Sequence, residues 1–343
     1  MNIIKHTSLL LGSCLFLGAC STTQLGQVPQ TRENYNLAID TSENEQFLLN
    51  LVRMHNGRSP YFVNVDSITT QTTLFAKMEA QLFTDKNAKL QPPFWNLSPT
   101  ITFTEAPTLT YTPLQGTKYV SGMMTPLTTL QIGMLQTSGW KLSSVLDIVL
   151  NRIGNLDNSE ISRHVDQDNN IENPDFDKFI DTMDELTNKH LITETITSYK
   201  DDVAISIQAA TPEVGQQISS LLKLKKSYTQ FIFSRKAFET PDSPENIINI
   251  QTRSLLGIMN FLANGVTDGK DNSGIDNFKV LSSTSEPDPT VASVKIEYNG
   301  KWYYIANNDS NSKAILVLLK LIYSLQLGDI KVNLPIVTIP VNR

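Results

Sequence analysis

From Ile68 to Leu82 the chain alternates. Ile68, Thr70, Thr72, Leu74, Ala76, Met78, Ala80 and Leu82 share one phase of a two-residue period, and Thr69, Gln71, Thr73, Phe75, Lys77, Glu79 and Gln81 share the other. That period predicts a strand with one covered face, and the run is long beside the usual five or six residues. Leu74, Met78 and Leu82 also suit helical spacing, but the cluster of β-branched threonines favours strand. Residues 100–104 and 108–112 carry the same threonine-rich alternation and read as returning strands, bent at Ala106-Pro107. Residues 68–112 are therefore expected to form a long hairpin.

Elsewhere the apolar period is helical. Leu48, Leu51 and Val52 mark one face of a helix over 43–56, with Ser42 and Glu45 as a capping box and Gly57 as the stop. Helices follow over 116–124, 127–137 and 142–153. Residues 154–174 are polar and rich in Asn and Asp, which marks a boundary. Asn173-Pro174 then opens a helix striped by Phe176, Phe179, Ile180, Met183 and Leu186. Strands over 191–199 and 203–209 turn at Asp201-Asp202, a helix runs from Thr211-Pro212 to 225, and a strand covers 228–234. The order is αββαβ. A helix from Ser243-Pro244 to 263, strands over 278–281, 291–298 and 301–306, a helix over 310–325 and a strand over 332–341 give a second such order with one extra strand. Asn299-Gly300 is a type I′ hairpin signal. The expected class is α+β: an N-terminal α/β region with a long β-hairpin over 41–157, then αββαβ-type units over 171–240 and 243–343. These two units share order, not residues.

The N-terminus changes the setting. After Lys5 and His6 come Leu9, Leu10, Leu11, Leu15, Phe16 and Leu17, an apolar stretch too short to span a bilayer and shaped like a secretory signal over 1–19. Leu17-Gly18-Ala19-Cys20 resembles the lipobox of bacterial lipoproteins, which implies cleavage before Cys20 and acylation of its sulfur. Each buried methylene contributes about 0.8 kcal/mol, so two or more chains hold a protein stably on a membrane. Ser21, where an aspartate would retain the protein at the inner membrane, resembles the Gram-negative signal for the periplasmic leaflet of the outer membrane. Residues 20–40 carry no charge before Arg32 and are expected to be a flexible tether.

Cleavage would remove Lys5 and leave 27 basic residues against 34 acidic ones, a balance that disfavours nucleic acid as a partner. Cys14 would leave with the signal, so stability must come from packing without disulfides. No other apolar run is long enough for a spanning helix.

Chemistry is sparse. His55, His164 and His190 lie in three separate segments and in no zinc motif, so they read as surface histidines. Asp166, Asp168 and Asn170 have calcium-loop spacing with Asp177 at position twelve, but position six is Ile171 where glycine is required. Ser220–Lys223 and Ser310–Lys313 match Ser-x-x-Lys without its companion motifs. Asp201-Asp202 and Asp184-Glu185 are expected in turns or on polar helix faces. No catalytic residue, metal or cofactor is expected, and the single modified residue is Cys20.

Several segments together carry a wider likeness: Asn50-Leu51-Val52-Arg53, Pro60-Tyr61-Phe62, Val65-Asp66-Ser67-Ile68-Thr69, Tyr111-Thr112-Pro113-Leu114-Gln115-Gly116, Ser138-Gly139-Trp140, Thr252-Arg253-Ser254-Leu255-Leu256-Gly257 and Trp302-Tyr303-Tyr304-Ile305. Over nearly the whole mature length the chain resembles a family of uncharacterised Gram-negative outer-membrane lipoproteins. That resemblance implies an envelope location and no catalytic residues. Three readings follow. The first is a non-enzymatic scaffold or assembly subunit of an envelope complex, of secretion type, bound to the membrane through Cys20 and to protein partners or further copies. The second is a cell-wall enzyme or ligand-binding lipoprotein. The third is an oligomeric pore built from the 68–112 hairpins, for which the better strand face holds two threonines and two alanines. Against that pore stands the expectation of a curved strand with one face on the domain core.

Overall fold

The computed structural model describes residues 23–83, 94–158, 174–237, 244–267 and 277–328. The signal segment, Cys20, His164, the Asp166–Asn170 loop residues and the strand expected over 332–341 lie outside the described residues. The fold is α+β, and the chain divides into two units: residues 61–116 with 332–343, and the remainder.

The smaller unit is the hairpin. Strand β1 (Val63–Phe83) pairs antiparallel with β2 (Phe94–Pro113), residue for residue, and neither pairs with any other strand among the described residues. Both strands exceed the expected lengths, and β2 runs without a break through Ala106-Pro107. One irregularity interrupts the ladder, a bulge between Val65 and Ser67, where Thr112 donates its hydroxyl hydrogen to the Asp66 carboxylate. Among the described residues the hairpin's only sheet is the pair itself.

The larger unit opens with α1 (Thr23–His55), which corrects two expectations. The tether over 20–40 is helical from Thr23, and Ser42 and Glu45 lie mid-helix instead of capping it. The reason is that a helix nucleated on a buried face propagates at little cost through residues that only tolerate it. Phe47, Leu48, Asn50, Leu51 and Val52 supply that buried face. Thr41 donates back to the Leu37 carbonyl, and Lys320 binds Asp40 and Asn44 at 2.8 and 2.9 Å. Three short helices follow the hairpin: α2 (Thr117–Met124), α3 (Thr129–Thr137) and α4 (Leu142–Val149). Thr128 and Gln131 form a reciprocal capping box at α3.

Leu150–Ile153, expected as the last turn of α4, is instead strand β3, followed by β4 (Leu156–Asp157). Helix α5 (Pro174–Asn188), β5 (Ile192–Tyr199), β6 (Asp202–Ala209), α6 (Pro212–Leu221) and β7 (Gln230–Ser234) give the expected αββαβ order. Lys200 and Asp201 both take positive φ at the β5–β6 turn. The next segment differs from expectation. Ile247–Thr252 is strand β8, and the helix, α7 (Leu255–Ala263), starts only after Ser254, whose hydroxyl accepts from the Gly257 N–H. Ile248 and Ile250 are buried and alternate with Asn249 and Gln251, a two-residue period over a short segment. Then come β9 (Leu281–Ser283), β10 (Ala292–Tyr298), β11 (Lys301–Ala306) and α8 (Ser310–Leu327).

The consequence is one six-stranded sheet in the order β4-β3-β8-β7-β6-β5, with β7 and β8 parallel and the other pairs antiparallel. It joins strands from all three domains drawn from the sequence, so the boundaries near 157–171 and 240–243 do not separate domains. Ala204, Ile205, Ser206 and Ile207 are all buried, so both faces of β6 are covered. A second sheet, β10-β11-β9, is built on the Asn299-Gly300 turn, where both residues take positive φ as type I′ requires.

Candidate functional site

Two features carry chemistry, one in each unit. In the larger unit a cleft of about 430 Å³ lies among the Gly139–Lys141 loop, α4, α5, Asn277 and α8. Its polar groups include Asp147, Asp181, Asp184 and Lys141. The two carboxyls at 147 and 184 are driven apart. Burial pushes Asp147 up to about 6 against an opposing hydrogen bond from Asn277, with the charges of Asp177 and Asp181 adding and that of Arg253 subtracting. Burial also acts on Asp184, but hydrogen bonds from Lys141, Ser143 and Asn188, with the lysine charge, hold it below the usual carboxylate range. Both oxygens of Asp184 are taken: Oδ1 by Lys141 and Ser143, Oδ2 by Lys141 and Asn188. A carboxylate so engaged ties α5 to the start of α4 and has little freedom to act on a substrate. No His or Cys lines the cleft.

Behind the cleft, Arg253 is buried at the C-terminus of α4. Its guanidinium donates to the carbonyls of Asp147, Ile148, Leu150 and Asn158 and lies 4.0 Å from the centre of the Phe261 ring. The last carbonyls of a helix lack intrahelical partners and carry partial negative charge, which a cation there satisfies. This residue closes the junction of α4, β3 and β4 and belongs to the scaffold.

The other residues singled out in the sequence do not converge. His55 Nδ1 lies 3.1 Å from the Ala263 carbonyl, and His190 takes positive φ at the end of α5. Asp177 is helical. Ser220 donates to the Gln216 carbonyl while Lys223 pairs with Asp175, and Lys313 donates to the Asn307 carbonyl. Asp201-Asp202 occupies a turn. Among the described residues no group of three or more His, Cys, Asp or Glu is placed to hold a metal.

The hairpin is different. Its register places Leu74 opposite Phe103, Ala76 opposite Ile101, Met78 opposite Pro99, Ala80 opposite Leu97 and Leu82 opposite Trp95. Because successive residues of a strand belong to opposite faces, these five rungs share one face of the ribbon. All ten residues are apolar. The rungs between them are Phe75–Thr102, Lys77–Thr100, Glu79–Ser98 and Gln81–Asn96, and they form the other face. The stripe ends where Thr72 meets Glu105. The sequence period showed β1 as apolar on one side only in part, with two threonines and two alanines. The register with β2 supplies Phe103, Ile101, Leu97 and Trp95, and the signal becomes legible only when the partner strand is aligned.

The outer edges of the ribbon are also unequal. Leu114 donates its N–H to the Phe62 carbonyl, which sets the alternation along β2. Even-numbered residues of β2 turn their backbone groups to β1, and odd-numbered ones turn them to the outer edge. Pro99, Pro107 and Pro113 are all odd, so the prolines remove donors from the outer edge and none from the ladder.

No helix among the described residues is long and apolar enough to cross a membrane. Comparison with protein-family models, with curated proteins and with solved structures finds no match.

Proposed function

We propose that this protein is an outer-membrane lipoprotein, anchored through acyl chains on Cys20, that works as a non-enzymatic assembly subunit of an envelope complex. The observation that carries the reading is the hairpin. A two-stranded ribbon is marginal in water by itself, and among the described residues no further strand pairs with its outer edges, whose backbone groups invite one. Pairing with other chains is the economical way to satisfy them. Further support comes from exposed apolar residues on short helices of the larger unit: Val120 and Met124 one turn apart on α2, Leu130 and Met134 likewise on α3. The lipobox-like Leu17–Cys20 segment and the resemblance to uncharacterised Gram-negative lipoproteins favour the envelope. The cleft favours an enzyme less, because Asp184 is engaged by Lys141, Ser143 and Asn188.

The test is the mass of the acylated protein extracted in mild detergent, combined with crosslinking in intact cells. A defined multi-copy or multi-protein particle is expected. A strict monomer with nothing crosslinked to it contradicts the reading.

A further inference from the structure

We infer that the distal half of the hairpin is a membrane-crossing segment, and that several copies of this chain close their hairpins into one β-barrel with a polar lumen. The inference rests on the assembly reading above and names the partner as a second copy, and the occupant of the apolar face as bilayer hydrocarbon.

The apolar stripe runs from Leu74 to Leu82 in β1 and from Trp95 to Phe103 in β2, nine residues in each strand. A strand crossing a bilayer uses about 9–11 residues at a tilt near 45°. Eight steps of about 3.3 Å give roughly 26 Å along the strand, close to the apolar band of about 25 Å on outer-membrane barrels before tilt is counted. Alternation holds over the span with one exception, Phe75 on the polar face. One face holds no polar residue, and the other holds Lys77, Glu79, Gln81, Asn96, Ser98, Thr100 and Thr102. A ribbon buried against a protein core needs a covered face but no fixed length. The stripe breaks at the Thr72–Glu105 rung, and its last described rung toward the turn is Leu82–Trp95, a length that suits a bilayer crossing. Trp95, at the turn end of the apolar face, matches the aromatic residues that flank the apolar band of barrels in lipid.

Hydrocarbon also dictates the partner. Unpaired backbone groups cannot remain at the edges of a ribbon in lipid, so only closure is viable. One hairpin cannot close on itself, but hairpins placed side by side can. A water-filled lumen takes about 16 strands, which at two per chain means about eight copies. Pro99 lies inside the stripe and costs one edge donor at each junction. β1 carries no proline, so the unbroken edge of one copy meets the interrupted edge of the next.

The experiment uses the full-length acylated protein in vesicles of phosphatidylethanolamine and phosphatidylglycerol loaded with a small dye and a large dextran. Release of the dye and retention of the dextran are expected. Met78→Lys, at the centre of the apolar stripe, is expected to lower dye release at least about tenfold, given the cost of a lysine at the bilayer midplane. Glu79→Lys adds a positive charge one residue away on the polar face, and is expected to retain release while shifting ion preference toward anions. This second variant separates a lipid-facing position from a general intolerance of lysine. If the protein is oligomeric but the vesicles stay sealed, or if both lysine variants behave alike, the membrane inference falls and the assembly reading stands. A monomer that leaves vesicles sealed overturns both.

Discussion

The two units of this chain use the same strand chemistry to opposite ends. In the larger unit strands are two to eight residues long, each lies in a sheet of three or six, and the core strand β6 is covered on both faces. Its apolar residues meet one another within the chain. In the hairpin the strands are 21 and 20 residues long, and among the described residues they pair only with each other. Ten apolar residues share one face of a ribbon too thin to form a core. The difference teaches that hydrophobic patterning specifies an environment, and that this environment need not lie within the same polypeptide. Short buried strands can satisfy their pattern internally, whereas for a ribbon this long and one-sided we propose a counterpart acquired by assembly.

The comparison can be broken most forcefully at Arg253. Replacing it with Met removes the guanidinium donor from the Ile148 and Asn158 carbonyls, each at a cost of about 1–3 kcal/mol, while the Asn158 amide still serves the Asp147 and Leu150 carbonyls. A loss of about 4 kcal/mol in urea unfolding of the larger unit is expected, and a loss under 1 kcal/mol would show that water substitutes for the guanidinium. Next comes Gly215→Ala. A Cβ there would sit 2.2 Å from the Tyr228 carbonyl oxygen, so α6 must move away from the segment leading into β7. Overpacking of this kind costs about 1–3 kcal/mol, readable as a lowered unfolding midpoint with an unchanged slope.

Asp147 gives a pH-dependent test of the same unit. Its folded pKa of about 6 lies above the ordinary 3.8, so the folded state holds the proton more tightly than the unfolded chain. Stability is therefore highest below about pH 4 as far as this group is concerned, and falls as pH rises through 6. Asp147→Asn removes that fall. The variant is expected to gain about 3 kcal/mol over the parent at pH 7.5 and almost nothing at pH 4, since one pKa unit corresponds to about 1.4 kcal/mol. A destabilised variant at pH 7.5 would mean that the ionised carboxylate is held by Arg253 in preference to being strained by burial.

The smallest expected effect sharpens the hairpin side. Pro99→Thr restores one N–H on the outer edge of β2, worth about 0.5–1.5 kcal/mol per junction. The assembled particle should dissociate at a higher temperature or detergent concentration while the unfolding of the larger unit is unchanged. An unaltered particle would place that edge away from the junction.

How much of this was legible in the sequence depended on whether the signal was local. The αββαβ order over 174–234 was, because Asn173-Pro174, Thr211-Pro212 and the Asp201-Asp202 turn punctuate it. The Asn299-Gly300 turn was as well. Ile247–Thr252 is a strand where the sequence predicts helix, because its six residues carry too short an alternation to outweigh the helix-start signal of Ser243-Pro244. The helical residues 23–40 carry no apolar stripe, so only their continuity with the buried face at 47–52 extends the helix back to Thr23. Domain boundaries drawn from linkers failed because β3, β4 and β8 enter the sheet of the αββαβ unit from distant segments. At the hairpin, strand character was visible in β1 alone, but the ten-residue apolar face was not. It belongs to a register, and register is a tertiary fact.

One measurement addresses the hairpin's environment directly. Single cysteines at positions 74 to 82, labelled with an environment-sensitive fluorophore in the acylated protein in vesicles, report polarity residue by residue. Cys14 is expected to leave with the signal and Cys20 to carry lipid, so no native thiol competes. Blue-shifted emission at 74, 76, 78, 80 and 82, with water-like emission at 75, 77, 79 and 81, is the predicted result. A profile without that alternation would contradict the account.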